Sequence, residues 1–283
     1  MTHVLPTPTT PLTRLPEDLK VGFIGCGNMG RAIAEAWLAR EVIQPSQLLI
    51  SARTSAKATA EALGARAMES NKALIDEANI VVLGFKPQQL YQVSGLSDPR
   101  YDRPLYISLL AGKSVGELKS ICNPDNRGAD IIRLMPNLPA RLSQGATLAY
   151  TKAQLSEERG AWLTTLLDAI GHTEWLSSEE QFDAGTAISG CGPAYMFMII
   201  EALADAGVSL GLPRLTAQRL AAQTMLGSGM MALDEHPGVL KDRVTSPGGV
   251  TIQGVRSLER SGLRSAMIEA VVRATKRSQE LGS

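Results

Sequence analysis

The spacing of hydrophobic residues changes part-way along this chain. In the first half, short apolar runs alternate with stretches of helical periodicity. The runs at 20–24, 47–50, 80–84, 104–108, 130–134 and 146–150 predict strands. Ile80-Val81-Val82-Leu83 and Ile131-Ile132 are continuous in branched aliphatics, as strands buried on both faces require. Strands alternating with helices predict a parallel sheet connected by crossover helices. After Trp175 the strand signals stop. From Glu179 onward the sequence reads as helices broken at 190–193, 211–213, 236–238 and 246–249. The fold class is therefore α/β: a parallel-sheet domain over 19–177 and an all-helical domain over 178–283, preceded by an extension over 1–18 and divided near Ser177.

The run 194–203 (AYMFMIIEAL) is apolar almost all round, so it should lie in the centre of the helical domain. A small helical domain can hardly enclose such a helix alone, which predicts a homodimer or larger homo-oligomer. The methionines of this half read as adaptable core filler. Lys plus Arg balances Asp plus Glu at 28 each, so no net field holds nucleic acid or an anionic membrane, and a small-molecule partner is expected. Cys26, Cys122 and Cys191 have neither CxxC spacing nor an even count, which fits a reducing cytoplasm. The Thr- and Pro-rich start has the pattern of neither a secretion signal nor a transit peptide, and reads as a disordered extension. No stretch of about 18 uninterrupted apolar residues appears, so no membrane span is expected.

The candidate chemistry starts at Val21-Gly22-Phe23-Ile24-Gly25-Cys26-Gly27-Asn28-Met29-Gly30, where a strand runs into a helix through G-x-G-x-x-G spacing. Gly25 permits the tight turn, Gly27 lets the backbone approach a pyrophosphate, and Gly30 allows the helix to pack on the strand. Unpaired amides at the helix start then face the phosphates. This is the signature of a Rossmann-like dinucleotide-binding domain. An enzyme preferring NAD presents an acid to the ribose at the end of the second strand, ~20 residues on. Here Ser51, Arg53 and Thr54 offer hydroxyls and a guanidinium suited to a 2′-phosphate, which favours NADPH over NADH.

The histidines, His3, His172 and His236, form no nucleophile–base pair, and no HExxH or Cys/His cluster suggests a metal. Hydride transfer needs little acid–base machinery, because the cofactor carries the chemistry. The segment Val244-Thr245-Ser246-Pro247-Gly248-Gly249-Val250-Thr251-Ile252 precedes an amphipathic run. It reads equally as a second anion-holding helix start and as an ordinary helix cap with Ser246 and Pro247 at its entry.

Several strings in the chain are similar to those of the pyrroline-5-carboxylate reductases, from Val21 to about Leu281. They are GFIGCGNMGRAI, FKPQ at 85–88, SLLAG at 108–112, IRLMPNLPA at 132–140, SGCGPAY at 189–195, GLPR at 211–214 and VTSPGGVTIQGVRSLE at 244–259. The last is the most specific. The resemblance implies NADPH-dependent reduction of the ring C=N bond of L-1-pyrroline-5-carboxylate to L-proline, with NADH as the alternative donor. It also implies a helical half that interlocks with a partner subunit. By position, it assigns Ile24, Gly25, Cys26, Gly27, Asn28, Met29, Ser51, Arg53, Asn71, Gly84, Phe85, Lys86, Pro87, Ser108, Leu109 and Leu110 to the cofactor. Ser189, Gly192, Val244, Ser246, Gly249, Val250 and Thr251 fall to the substrate, with Thr251 as the group that hydrogen-bonds the imine nitrogen.

The chain departs from the family at Leu138, where Thr is usual, and at Cys191, where Ser is usual. Each weakens a hydrogen-bonding position, which bears on substrate geometry and not on reaction class. Two other readings remain at this level: another imine or 3-hydroxyacid dehydrogenase of the same plan, and a non-catalytic NADP sensor. A sensor needs only the first glycine-rich helix start.

Overall fold

The computed structural model describes residues 12–97, 104–123 and 130–282. In chain order the first elements are β1 (Val21–Ile24), α1 (Asn28–Ala39), β2 (Leu48–Ser51), α2 (Ala56–Leu63), β3 (Arg66–Ala67), α3 (Asn71–Glu77), β4 (Ile80–Leu83) and β5 (Leu105–Ser108). There follow α4 (Val115–Cys122), β6 (Ile131–Met135), β7 (Gly145–Tyr150), α5 (Glu157–Asp168) and β8 (Gly171–Trp175). Each of the six predicted strands is present, within a residue of its expected ends.

These strands form one sheet in the order β3-β2-β1-β4-β5-β6-β7-β8. The chain builds outward from β1 to β3, then returns to the other side of β1 with β4. That reversal is the topological switch point, outside whose carboxyl ends open α/β sheets bind ligands. The sheet is not wholly parallel, because β7 runs antiparallel to β6. The link between them is a short 3-10 turn, Leu138–Leu142, too short for a crossover helix. Two strands escaped the sequence pattern. β3 has only two residues, and β8 reads Gly-His-Thr-Glu-Trp, a half-exposed edge without an apolar run.

The central strands are buried along their whole length. On one face Phe23 and Ile50 pack with Ile33 and Trp37 of α1 and Leu163 of α5, and Trp37 Nε1 donates to the Leu166 carbonyl at 2.8 Å. On the other, Leu83 and Tyr106 pack with Leu74 of α3 and Leu118 of α4. The expected disordered extension over 1–18 is corrected from Leu12 onward. Leu15 is buried and its amide donates to the Val42 carbonyl, while Gln47 Nε2 donates to the carbonyls of Pro16 and Leu19. Residues 1–11 lie outside the described residues.

The helical elements are α6 (Gln181–Gly185), one π-helical turn at Thr186–Gly190, α7 (Gly192–Ser209), α8 (Arg214–Asp234), α9 (Pro237–Arg243), α10 (Val250–Arg260) and α11 (Leu263–Gly282). The chain divides into two compact units, Met1–Gly190 with Thr275–Ser283, and Cys191–Ala274. The division falls later than the expected boundary near Ser177 because the residues after β8 still pack on the sheet unit. Phe182 and Ala187 are buried there, and the Glu179 carboxylate accepts from the Val115 amide and from Arg133 at 2.8 and 3.1 Å. The break expected at 190–193 is present at Cys191, a bend between the π turn that ends at Gly190 and α7.

In the second unit, α7 and α8 form a hairpin. Leu212 N donates to Gly207 O and Gly211 N to Val208 O, with Gly211 at a φ of 96°, the bonding of a Schellman stop. Close packing rests on small residues: a Cβ at Gly207 would lie 3.0 Å from that of Ala217. Within the single chain α7 is not the buried helix expected, since Phe197, Met198 and Leu203 are all more than half exposed. The stretch Gln181–Ser209 is long and apolar enough to cross a membrane, by length and composition alone.

Candidate functional site

Strand register brings the first set of candidates to one edge. Ile24 is level with Ser51 on one side and Leu83 on the other, and Leu83 with Ser108. Gly25, Ser51, Gly84 and Ser108 therefore lie along the carboxyl edge of the sheet, across the switch point. Gly25 has a φ of 76°, and a Cβ on it would sit 2.7 Å from the Phe85 amide nitrogen. A Cβ on Gly84 would lie 2.4 Å from the Gly25 carbonyl oxygen. The two turns press backbone on backbone, so both positions require glycine for the fold itself.

Gly27 is different. It is the residue before α1, at φ −73° and ψ −165°, a conformation open to any L-residue, and a Cβ there meets only the Gly84 carbonyl oxygen, at 4.0 Å. Neither backbone nor packing explains a glycine at this exposed position. It keeps space clear above the start of α1, which carries no side-chain cap. The amides of that first turn are left to whatever approaches.

Around this turn the predicted residues separate by exposure. Asn28 and Arg53 are exposed, Met29, Phe85 and Pro87 half-buried, and Lys86 exposed before the 3-10 turn Pro87–Gln89. Ser51 Oγ donates to Asn71 Oδ1 at 2.7 Å, and Asn71 Nδ2 donates to the Ser94 carbonyl at 2.9 Å, so these two candidates are one hydrogen-bonded unit. Ile24, Ser108 and Leu110 turn their side chains into the core. They can offer a ligand only backbone, and Leu109 alone of the run 108–110 is part-exposed. Cys26 is buried, and burial pushes its thiol up to about 12, with Arg31 opposing and Glu35 adding, so it is a neutral packing residue.

In the helical unit, Gly249 N donates to the Ser246 carbonyl at 3.0 Å and Gly248 has a φ of 71°. With Pro247 second, this is a type II turn, which demands a left-handed third residue. It delivers Gly249 as the residue before α10 at φ −73°, ψ 175°, again without a side-chain cap. Ser246 is thus not the helix cap that one reading of the sequence allowed. Its hydroxyl lies where a Cβ on Gly249 would come within 2.3 Å, beside the open helix start. Val244, Ser246, Val250 and Thr251 are exposed. Gly192, at the start of α7, has no neighbour within 4 Å of a Cβ.

Ser189 sits in the π turn of the sheet unit, its Oγ donating to the Gly185 carbonyl at 3.1 Å. Its own carbonyl accepts from Nδ2 of Asn137 at 2.9 Å. Asn137 was not among the predicted site residues. Of the histidines, His236 Nδ1 accepts from the Gly238 amide at the start of α9, a structural task, and His172 is exposed beside Glu174. His3 lies outside the described residues.

Comparison with known proteins matches residues 179–281 to the family described as pyrroline-5-carboxylate reductase dimerisation, and residues 20–112 to that described as NADP oxidoreductase coenzyme F420-dependent. The chain is 38% identical over 284 residues to the pyrroline-5-carboxylate reductase of Arabidopsis thaliana, covering 99% of each. It is 38% identical to that of Escherichia coli, covering 93% of this chain and 98% of the relative. Among solved structures, a pyrroline-5-carboxylate reductase from Coxiella burnetii aligns with a TM-score of 0.82 at 32% identity, over 94% of this chain and 99% of the other. The Plasmodium falciparum pyrroline carboxylate reductase, solved with NADP bound, aligns with 0.79 at 30% identity over the same shares.

Proposed function

Because the chain belongs to the pyrroline-5-carboxylate reductase family, we infer that it reduces the ring C=N bond of L-1-pyrroline-5-carboxylate to give L-proline, the last step of proline biosynthesis. The observation that carries the cofactor half is Gly27: a glycine that its own chain does not need, holding clear a space over uncapped helix amides. A Cβ would fill that cradle, and the residues fit a dinucleotide pyrophosphate there. Arg53 supplies the cation for a 2′-phosphate, with the Ser51–Asn71 unit beside it at the second strand end. When bound, NADPH supplies the hydride.

The chain's own residues do the rest. The amides at the start of α10 and the Ser246 hydroxyl hold the substrate carboxylate, an anion at a helix start left without a side-chain cap. Thr251, in the first turn of α10, hydrogen-bonds the imine nitrogen, directly or through water: its hydroxyl oxygen accepts from the N–H of the protonated ring, orienting it and favouring that form. Lys86 is a positioning residue, not the proton source. Residues 19–177 form the NADP-binding domain, and 178–283 bind the imino acid and a second subunit.

The chain is a homo-oligomer-forming protein by its dimerisation segment. We place the interface on the exposed apolar side chains of α7, whose membrane-like composition then reflects subunit packing. Cytoplasmic residence belongs to the same proposal, supported by the free thiols of Cys26 and Cys191. NADPH oxidation measured with pyrroline-5-carboxylate, with a panel of hydroxyacids and ketoacids, and with no substrate tests the reading. Turnover with the cyclic imine is expected. Turnover only with the acids, or NADPH binding without any turnover, would replace it with a dehydrogenase or a sensor.

A further inference from the structure

We propose that Asn137 is a positioning residue of the imino-acid site, acting by holding the carbonyl of Ser189 in the π turn. The inference rests on the reading that Ser189 borders the substrate.

In an α-helix the carbonyl of Ser189 would accept from the amide of the residue four places on. That residue is Pro193, which has no N–H, and a proline ring also crowds the carbonyl four residues before it. The Ser189 carbonyl, in the π turn at Thr186–Gly190, therefore lacks the ordinary donor of an α-helical ladder. Asn137 supplies a donor from outside the helix. It lies just beyond β6, only 7% exposed, with Nδ2 2.9 Å from the Ser189 carbonyl and Oδ1 accepting from the Ala146 amide of β7 at 3.0 Å. The Ala146 amide can only donate, so the orientation of the carboxamide is fixed, and both of its ends are used. One buried side chain therefore ties the Ser189 backbone to the β6 and β7 strands. With its own hydroxyl committed to the Gly185 carbonyl, Ser189 presents oxygen lone pairs at a place set by Asn137.

Asn137→Asp keeps the acceptor for Ala146 but turns an oxygen against the Ser189 carbonyl. Steady-state kinetics with each substrate varied in turn should show the imine KM raised about tenfold, with the NADPH KM changed by less than about twofold. A lowered Tm or kcat with both KM values unchanged would show a structural role only and overturn the proposal. Asn137→Ser, small and neutral but too short to reach the carbonyl, serves if the aspartate variant does not fold, with the same selective rise expected. Ser189→Ala separates the two readings. A raised imine KM in Ser189→Ala with an unchanged one at Asn137 sinks the inference and leaves the site intact. A raised KM at Asn137 with none in Ser189→Ala means that Asn137 does not act through a substrate-facing Ser189, and overturns the inference together with the placement of Ser189.

Discussion

The glycines of the dinucleotide turn have different reasons to be glycine. Gly25 is held by the Phe85 backbone and Gly84 by the Gly25 carbonyl, a close approach that the spacing of the motif signals but cannot locate. Gly27 is held by nothing in the chain, which separates cofactor binding from folding. Gly27→Ala should leave Tm unchanged while weakening NADPH binding by about tenfold or more, since an extra methyl must displace either itself or the phosphate. Thermal melting without ligand and a fluorescence titration with NADPH check the two halves. At the other helix start, Thr251→Ala should lower kcat/KM for the imine by about tenfold and spare NADPH affinity. Unchanged turnover would remove Thr251 from the mechanism. The glycine-rich strings and Ser246 to Thr251 were legible in the sequence because their chemistry is local. Asn137 was not, because its partner is distant in the chain and the signal, a proline four residues after a serine, does not say which side chain replaces the lost donor.

Among the elements, the buried strands declared themselves by unbroken apolar runs. β8 and β3 did not, because edge strands need no such run and take their structure from their neighbours. The antiparallel turn into β7 was equally hidden, for strand composition does not encode direction. Beside the carboxyl edge of β5, α4 begins with a capping box in which Ser114 accepts from the Glu117 amide and Glu117 from the Ser114 amide. Burial pushes the Glu117 carboxyl up, but hydrogen bonds from the Ser114 amide, Lys113, Tyr91 and the Ser114 hydroxyl outweigh it and bring it from 4.5 down to about 2. Its folded value lies below the unfolded one, so its stabilisation is complete above pH 4.5 and is lost as pH falls through about 2. Tm followed against pH for the native protein and Glu117→Gln should show curves that converge across that interval from above. A constant separation down to pH 2 would mean that the charge on Glu117 contributes nothing to α4.

The two-part plan of the whole molecule follows from one change of period near Trp175, and that much the sequence carried. The compact sheet unit extends past that change, because the residues after β8 are helical in pattern yet pack on the sheet, through Phe182 and the pair of Glu179 with Arg133. The burial expected for 194–203 is not met inside one chain, and Phe197 and Met198 stay exposed. A helix of this composition is stable in water only when something covers it. Phe197→Glu should therefore shift the assembly to smaller species in sedimentation velocity, with loss of activity following dissociation. An unchanged sedimentation coefficient would move the interface away from this face of α7.

The product of the reaction identifies the enzyme most directly. With pyrroline-5-carboxylate in excess and NADPH limiting, chiral amino-acid analysis should find one L-proline formed for each NADPH consumed. NADPH consumed without L-proline, or no consumption by a folded protein that binds NADPH, would contradict the assignment.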